Sequence, residues 1–268
     1  MALFPPRFIN ATIAIGTLRD NKEIWIGSGF LYGHALQADA NGPRVRLYVV
    51  SNKHVFQQLK NVIVKFNPVG KTEPLDIFAN FEDGSTTLFL HPQHDLGAFN
   101  LLIDFEGAGI TSEHFFYSDD ILTRQEVKDT GITEGDFAYL LGFPASIIDD
   151  GQGYVVVRHG SVARIRGYIE SREDNILIDT MNYPGNSGGP VINKPDIVSM
   201  PKTASVKKSC LLGIVSSYII YQDVAISQQT GQPRISFQEN SGLANIVPAH
   251  VLKEWITTIV KPLPTPVQ

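Results

Sequence analysis

The chain has 268 residues, 43% hydrophobic and 18% charged, a balance that fits a globular protein with a substantial core. A formal net charge of −5 excludes a global basic field of the kind that draws nucleic acid. A single cysteine, Cys210, excludes an intrachain disulfide, and no apolar run is long enough for a membrane helix.

Pro5, Pro6 and Arg7 stand where a secretory apolar segment would lie. With the lone cysteine, this gives the expectation of a cytoplasmic protein with no membrane part. Short segments rich in Val, Ile, Tyr and Phe then follow one another, separated by glycine and polar turns. They are Val45–Val50, Val62–Phe66, Leu75–Phe81, Thr86–Leu90 and Leu96–Ile103. A polar, loop-like stretch at 104–120 reads as a link between two lobes, about 10–103 and 135–247. The second set is Phe137–Leu141, Tyr154–Val157, Ile176–Met181, Leu211–Ser217 and Arg234–Phe237. Many short strands with few helical repeats predict an all-β sandwich or barrel.

Two more polar stretches, 194–209 and 222–241, read as surface loops between strands. Lys202, Lys207 and Lys208 make a local basic cluster that fits a solvated loop, and Cys210 fits buried filler in an apolar run. One helix is predicted over 248–261. Pro248 opens it, and Val251, Leu252, Trp255, Ile256 and Ile259 share a face. Pro262, Pro264 and Pro266 stop it.

The chemistry concentrates in Tyr183-Pro184-Gly185-Asn186-Ser187-Gly188-Gly189-Pro190-Val191. Glycines permit the positive φ that a sharp loop needs, so several backbone N–H groups can converge beside the serine hydroxyl. Acyl transfer needs that combination of nucleophile and oxyanion hole. A base must come from seven histidines. His54 follows the apolar strand Leu47–Asn52 and so stands on a rigid support, while Asp95 precedes the apolar run Leu96–Ile103. A carboxylate there can be partly buried and can hold an imidazole through its Nδ1–H.

Gly185, Ser187 and Gly189 also match the G-x-S-x-G pattern of α/β-hydrolases. That fold needs a helix directly after the serine, and a histidine downstream. Gly188, Gly189 and Pro190 oppose a helix, and His250 alone lies downstream. His91 and His94 beside Asp95 hint at a metal site, but Pro92 between them argues for a turn. No metal and no cofactor is expected.

Taken together these segments resemble the trypsin-like serine peptidases, in the order His, Asp, Ser that the chymotrypsin fold uses. Tyr48-Val49-Val50-Ser51-Asn52-Lys53-His54-Val55 resembles that family's histidine motif, and His94-Asp95-Leu96-Gly97-Ala98 its aspartate motif. Gly185-Asn186-Ser187-Gly188-Gly189-Pro190 resembles its serine motif. Four weaker matches keep the same order: Gly27–Leu31, Leu141–Pro144, Gly213–Ser216 and Gly242–Pro248. The resemblance implies two antiparallel six-stranded β-barrels and a C-terminal helix. It implies Ser187 as nucleophile, His54 as general base, Asp95 as its orienting carboxylate, and the N–H groups of Gly185 and Ser187 as oxyanion hole.

The pattern is most similar to stand-alone bacterial cytosolic members, and more distantly to the heat-stress proteases, whose additional peptide-binding domain is not expected here. Asn186 stands where digestive trypsins have an aspartate that pairs with a released N-terminus, so no trypsin-style zymogen switch is expected. By the same resemblance Met181 lies at the base of the primary specificity pocket. Ser216, Ser217 and Tyr218 lie along its wall, and Asp179 shares strand parity with Met181. A methionine cannot pair with a cation, so cleavage after a neutral, apolar residue of modest size is implied. The expected partners are a peptide or protein substrate and a regulatory protein. The alternative is an inactive or partner-gated scaffold that binds peptides.

Overall fold

The computed structural model describes residues 4–20, 22–39, 42–68, 73–148, 153–195 and 206–260. The first lobe is a curled, mostly antiparallel sheet. Its strands are β1 (Thr12–Arg19), β2 (Lys22–Asp39), β3 (Gly42–Ser51), β4 (Asn61–Phe66), β5 (Leu75–Asn80), β6 (Leu88–Leu90) and β7 (Gly97–Asn100). They lie in the order β5-β4-β1-β2-β3-β7-β6, and the short β8 (Phe116–Tyr117) adds to β2 in parallel. Among the described residues β5 and β6 are not paired, so this lobe curls without closing.

The second lobe closes. Strands β9 (Phe137–Gly142), β10 (Val156–Arg164), β11 (Ile176–Asp179), β12 (Pro190–Asn193), β13 (Leu211–Ile226) and β14 (Pro233–Pro248) form a six-stranded barrel in the order β10-β11-β14-β13-β12-β9. Closure removes the free edges that an open sheet leaves.

Alternation along two strands explains how the lobes meet. In β3, Leu47 and Val49 point into the first lobe's own core, while Tyr48 and Val50 point into a cluster between the lobes. In β9, Ala138 and Leu140 fill the second barrel, while Tyr139 and Leu141 join the same interlobe cluster. Period-two side-chain direction thus turns a continuous apolar run into a strand buried on both faces. The C-terminal helix (Ala249–Ile259) seals the cluster with Val251, Leu252, Trp255 and Ile256, the face expected from its spacing. Phe8 adds a ring stacked on Phe116, 4.8 Å between centroids, and Arg7 beside it forks onto the buried Asp120.

Two expectations need correction. The stretch 222–241 is not a loop: β13 and β14 continue through it as a two-stranded ribbon, paired from Ile220↔Asn240 to Ile226↔Pro233. Both of its faces are exposed, so no buried face imposes an apolar alternation for the sequence to display. Nor is 104–120 open coil, because it carries β8 and the buried Phe116. Strand β1 has no counterpart in the predicted segments, although its first six residues are buried. Of the basic cluster, Lys202 lies outside the described residues; Lys208 Nζ donates to the Asp119 carbonyl at 2.6 Å.

Candidate active site

His54 sits in the short helical turn Lys53–Phe56 that follows β3 directly. The strand is buried to its end, which fixes the starting point of the turn. Asp95 immediately precedes the buried Leu96 and strand β7, and β7 pairs with β3 through Ser51↔Gly97. Neighbouring strands therefore bring the two residues together across 41 positions of sequence. His54 Nδ1 lies 2.8 Å from Asp95 Oδ2, and the His54 backbone N–H donates to Asp95 Oδ1 at 3.0 Å. The buried Asn52 fixes the carboxylate's own backbone by donating from Nδ2 to the Asp95 carbonyl at 2.9 Å.

From the second lobe, Ser216 Oγ donates to Asp95 Oδ2 at 2.7 Å. Burial works against ionisation of Asp95, but hydrogen bonds from His54 and Ser216 outweigh it and hold the carboxyl below the usual aspartate range. The site thus keeps a carboxylate facing the imidazole.

Ser187 lies in the tight loop before β12. Gly185 and Gly188 take φ of 98° and 86°, values that disfavour any residue with a Cβ. A Cβ on Gly188 would also stand 2.0 Å from Ser51 Oγ and 2.2 Å from the Ser28 carbonyl. Asn186 N–H turns back to the Tyr183 carbonyl at 3.1 Å, and Gly188 N–H reaches the Val215 carbonyl at 2.8 Å. Among the described residues, the N–H groups of Gly185 and Ser187 donate to no other group.

The first lobe grips this loop at two points. Ser28 N–H donates to the Ser187 carbonyl at 2.8 Å, and Ser28 Oγ donates to the Gly185 carbonyl at 2.6 Å. The Asn186 side chain is fully buried, and neither of its amide atoms has a hydrogen-bond partner among the described residues.

His54, Asp95, Ser187, Ser216, Ser217 and Tyr218 line one cavity of about 390 Å³, with Asn182, Tyr183, Pro184 and Ile220. Ser187 Oγ donates to the Ser216 carbonyl at 3.5 Å, and no hydrogen bond joins it to His54 among the described residues. Met181 is not brought into this cavity; its side chain is half exposed, and its neighbour Asn182 forms the wall instead. Asn182 is buried, and its Nδ2 donates to the Ser217 carbonyl at 3.2 Å. Asp179 is exposed and also outside the lining.

Several of these roles were not legible in the sequence. Ser28, Asn52 and Asn182 act through contacts far away in the chain; Ser28 stands in the weak match Gly27–Leu31 and Asn52 in the histidine-like segment, while Asn182 falls in none of the quoted motifs.

The rival readings meet specific obstacles. Strand β12, not a helix, follows the Ser187 loop. His250 is buried on the C-terminal helix with Nδ1 3.0 Å from the Tyr168 hydroxyl. His91 Nδ1 accepts the N–H groups of Gln93 and His94, at 3.1 and 2.9 Å, so it caps its own turn.

A closed second barrel facing a curled first lobe, with imidazole, carboxylate and serine hydroxyl at the junction, defines the chymotrypsin-type architecture. The chain belongs to the trypsin-like peptidase family: residues 27–196 match the trypsin-like peptidase domain. Among solved structures it is similar to the MamO protease domain from Magnetospirillum magneticum in its apo form. That match has a TM-score of 0.51 and 16% identity, over 95% of this chain and 98% of that one. It is also similar to the scabies mite inactivated protease paralogue S-I1, with a TM-score of 0.51 and 12% identity, over 97% of this chain and 98% of that one. At such identities the likeness is one of fold. No curated protein matches the chain.

Proposed function

We propose that this protein is a serine endopeptidase working through an acyl-enzyme. The observation that carries the reading is the 2.8 Å contact between His54 Nδ1 and Asp95 Oδ2 in the cavity that Ser187 also lines. Ser187 Oγ attacks the scissile carbonyl carbon while its proton passes to His54 Nε2. Asp95 holds the Nδ1–H and stabilises the imidazolium. The tetrahedral oxyanion is met by the Gly185 and Ser187 N–H groups, which have no other partner among the described residues. His54 then gives the proton to the departing amine. Water, deprotonated by the same imidazole, cleaves the ester and frees Ser187. The Ser187–His54 contact is of the kind that tightens when substrate takes its place between the catalytic groups.

Specificity belongs to the same proposal. Asp95 is the only carboxylate lining the cavity among the described residues, and His54 and Ser216 engage it. No anion is left to hold a Lys or Arg side chain, and Tyr218 narrows the wall, so cleavage follows a neutral apolar residue of modest size. A cytoplasmic setting accords with a buried, unpaired Cys210.

A fluorophosphonate probe tests the assignment, because its phosphorus bonds to an activated serine Oγ as fluoride leaves. Labelling of the wild type but not of Ser187→Ala is expected. One observation favours a second reading, a partner-gated scaffold: the Ser187 hydroxyl is turned toward the Ser216 carbonyl rather than His54. Absence of labelling under every condition, with or without peptide, selects that reading.

A further inference from the structure

Asp95 lies in the connection between β6 and β7, residues 91–96, which closes where Leu90 pairs with Gly97. The His91 backbone N–H donates to the Leu96 carbonyl at 2.9 Å, and the Leu96 N–H donates to the His94 carbonyl at 2.9 Å. Two further N–H groups of this turn, those of Gln93 and His94, find their acceptor in a side chain, His91 Nδ1. Both bonds need the Nδ1 lone pair, so the neutral ring carries its proton on Nε2.

His91 also reaches the segment of the base. Its carbonyl accepts from Lys53 Nζ at 3.2 Å, and Lys53 immediately precedes His54. The ring stands against the His94 ring, 4.9 Å away between centroids, and the Trp255 ring of the C-terminal helix at 5.4 Å. One residue is thus bound to the turn that carries the carboxylate, to the turn that carries the imidazole, and to the helix that seals the lobes.

We propose that His91 is a positioning residue for the triad: its neutral ring holds the 91–96 turn in the shape that presents Asp95 to His54, and a proton taken up at Nδ1 releases that turn. This rests on the proposed peptidase function. A protonated Nδ1 is a donor facing two donors, so both bonds are lost in one event. The Gln93 and His94 N–H groups must then turn to water. Asp95 follows His94 directly, so its 2.8 Å contact with His54 Nδ1 depends on where the turn puts it.

The ring is only partly buried and borders a cavity of about 450 Å³ behind the turn, so a solvent proton reaches it in the folded protein. Lys53 and His94 are its near titratable neighbours. Arg124 and Asp174 line the same cavity, as do His250 and Glu254 on the C-terminal helix. The two carboxylates favour an imidazolium, while Lys53 and Arg124 oppose it. Burial first, then His94 and Lys53, hold the ring below the ordinary histidine value. The cap is therefore complete at neutral pH and is lost as pH falls through the folded value, below about 6.5.

The test uses the full-length protein and two variants. His91→Asn supplies an Oδ1 that accepts N–H groups a few residues on, as in an Asx-turn, and does not titrate. His91→Ala removes the acceptor. In His91→Ala at neutral pH, kcat on a peptide substrate falls on the order of 10²-fold, the cost of a misplaced catalytic group, with KM unchanged. His91→Asn restores most of that loss. The wild-type acid limb of kcat/KM steepens from one proton to two where His91 takes up its proton, whereas His91→Asn keeps a one-proton limb. Proton NMR of the far-downfield His54 Nδ1–H follows the same geometry without catalysis. That signal shifts in His91→Ala, is retained in His91→Asn, and is lost on acidification at a higher pH in the wild type than in His91→Asn.

Full kcat with an unmoved Nδ1–H signal in His91→Ala overturns the proposal, and so does an acid limb in His91→Asn identical with that of the wild type. Should His91→Ala fail to fold, the profile and signal of His91→Asn decide alone. A signal that follows the cap in a protein that no fluorophosphonate labels would leave the role of His91 standing while the peptidase reading fell.

Discussion

Ser28 Oγ in the first lobe donates to the Gly185 carbonyl in the second at 2.6 Å, and accepts the Phe143 N–H at 2.9 Å. One fully buried hydroxyl thereby ties the Ser187 loop to both lobes. Ser28→Ala would leave a buried carbonyl and a buried N–H without partners. A loss of about 1–3 kcal/mol is expected, read as a lower denaturant midpoint. The fluorophosphonate labelling rate should fall with it, because the Gly185 peptide loses the bond that orients it. Unchanged labelling in a destabilised protein would make Ser28 purely structural.

Asp95→Asn keeps the shape of the side chain but supplies the wrong partner for His54 Nδ1–H. In the proposed mechanism kcat falls about 10⁴-fold, with circular dichroism unchanged. The wild-type carboxylate, held below the usual range, contributes stability that is present above the ordinary aspartate pKa and lost as pH falls through its folded value. The stability gap between wild type and Asp95→Asn should therefore close in acid, below about pH 4. Near-full activity in the variant would remove Asp95 from the mechanism.

Asn186→Asp restores the charge that trypsin-type activation uses, in a site that is fully buried and has no cation among the hydrogen-bond partners of the loop. An uncompensated buried charge costs about 3–5 kcal/mol. Burial without a cation raises the folded carboxyl pKa, so the penalty is full at neutral pH. It fades as pH falls toward the unfolded value near about 4. Denaturant titrations at pH 7 and pH 4 check this; equal penalties at both would mean that the carboxylate has found a partner.

Glu134 offers a test remote from the chemistry. Partial burial opposes its ionisation, but the backbone N–H groups of Ile165 and Arg166 outweigh this and hold its carboxyl at about 2. The two bonds measure 3.1 and 3.0 Å. A depressed carboxyl stabilises the fold above its unfolded pKa and loses that contribution as pH falls through the folded one. Thermal unfolding of Glu134→Gln should thus trail the wild type at pH 6 and match it near pH 2.

The local sequence by itself determined the strands buried on both faces, the serine loop and the helix. Each depends on near neighbours: β3 on four successive apolar residues, Leu47–Val50, the loop on glycines that permit positive φ, the helix on a 3.6-residue apolar repeat. Strand β1 and the outer ribbon escaped because their patterns are diluted by Gly16 and Thr17 in one case, and by two exposed faces in the other. His54, Asp95 and Ser187 were legible because each stands beside such a local element.

Tertiary structure alone decided what surrounds them. Ser28 reaches Gly185 across 157 residues, and Ser216 reaches Asp95 across 121. Asn182 rather than Met181 became the cavity wall, because the chain turns after β11 and carries Met181 outward. Hydrogen bonds between distant residues depend on how two lobes pack, and no local periodicity or propensity encodes that packing.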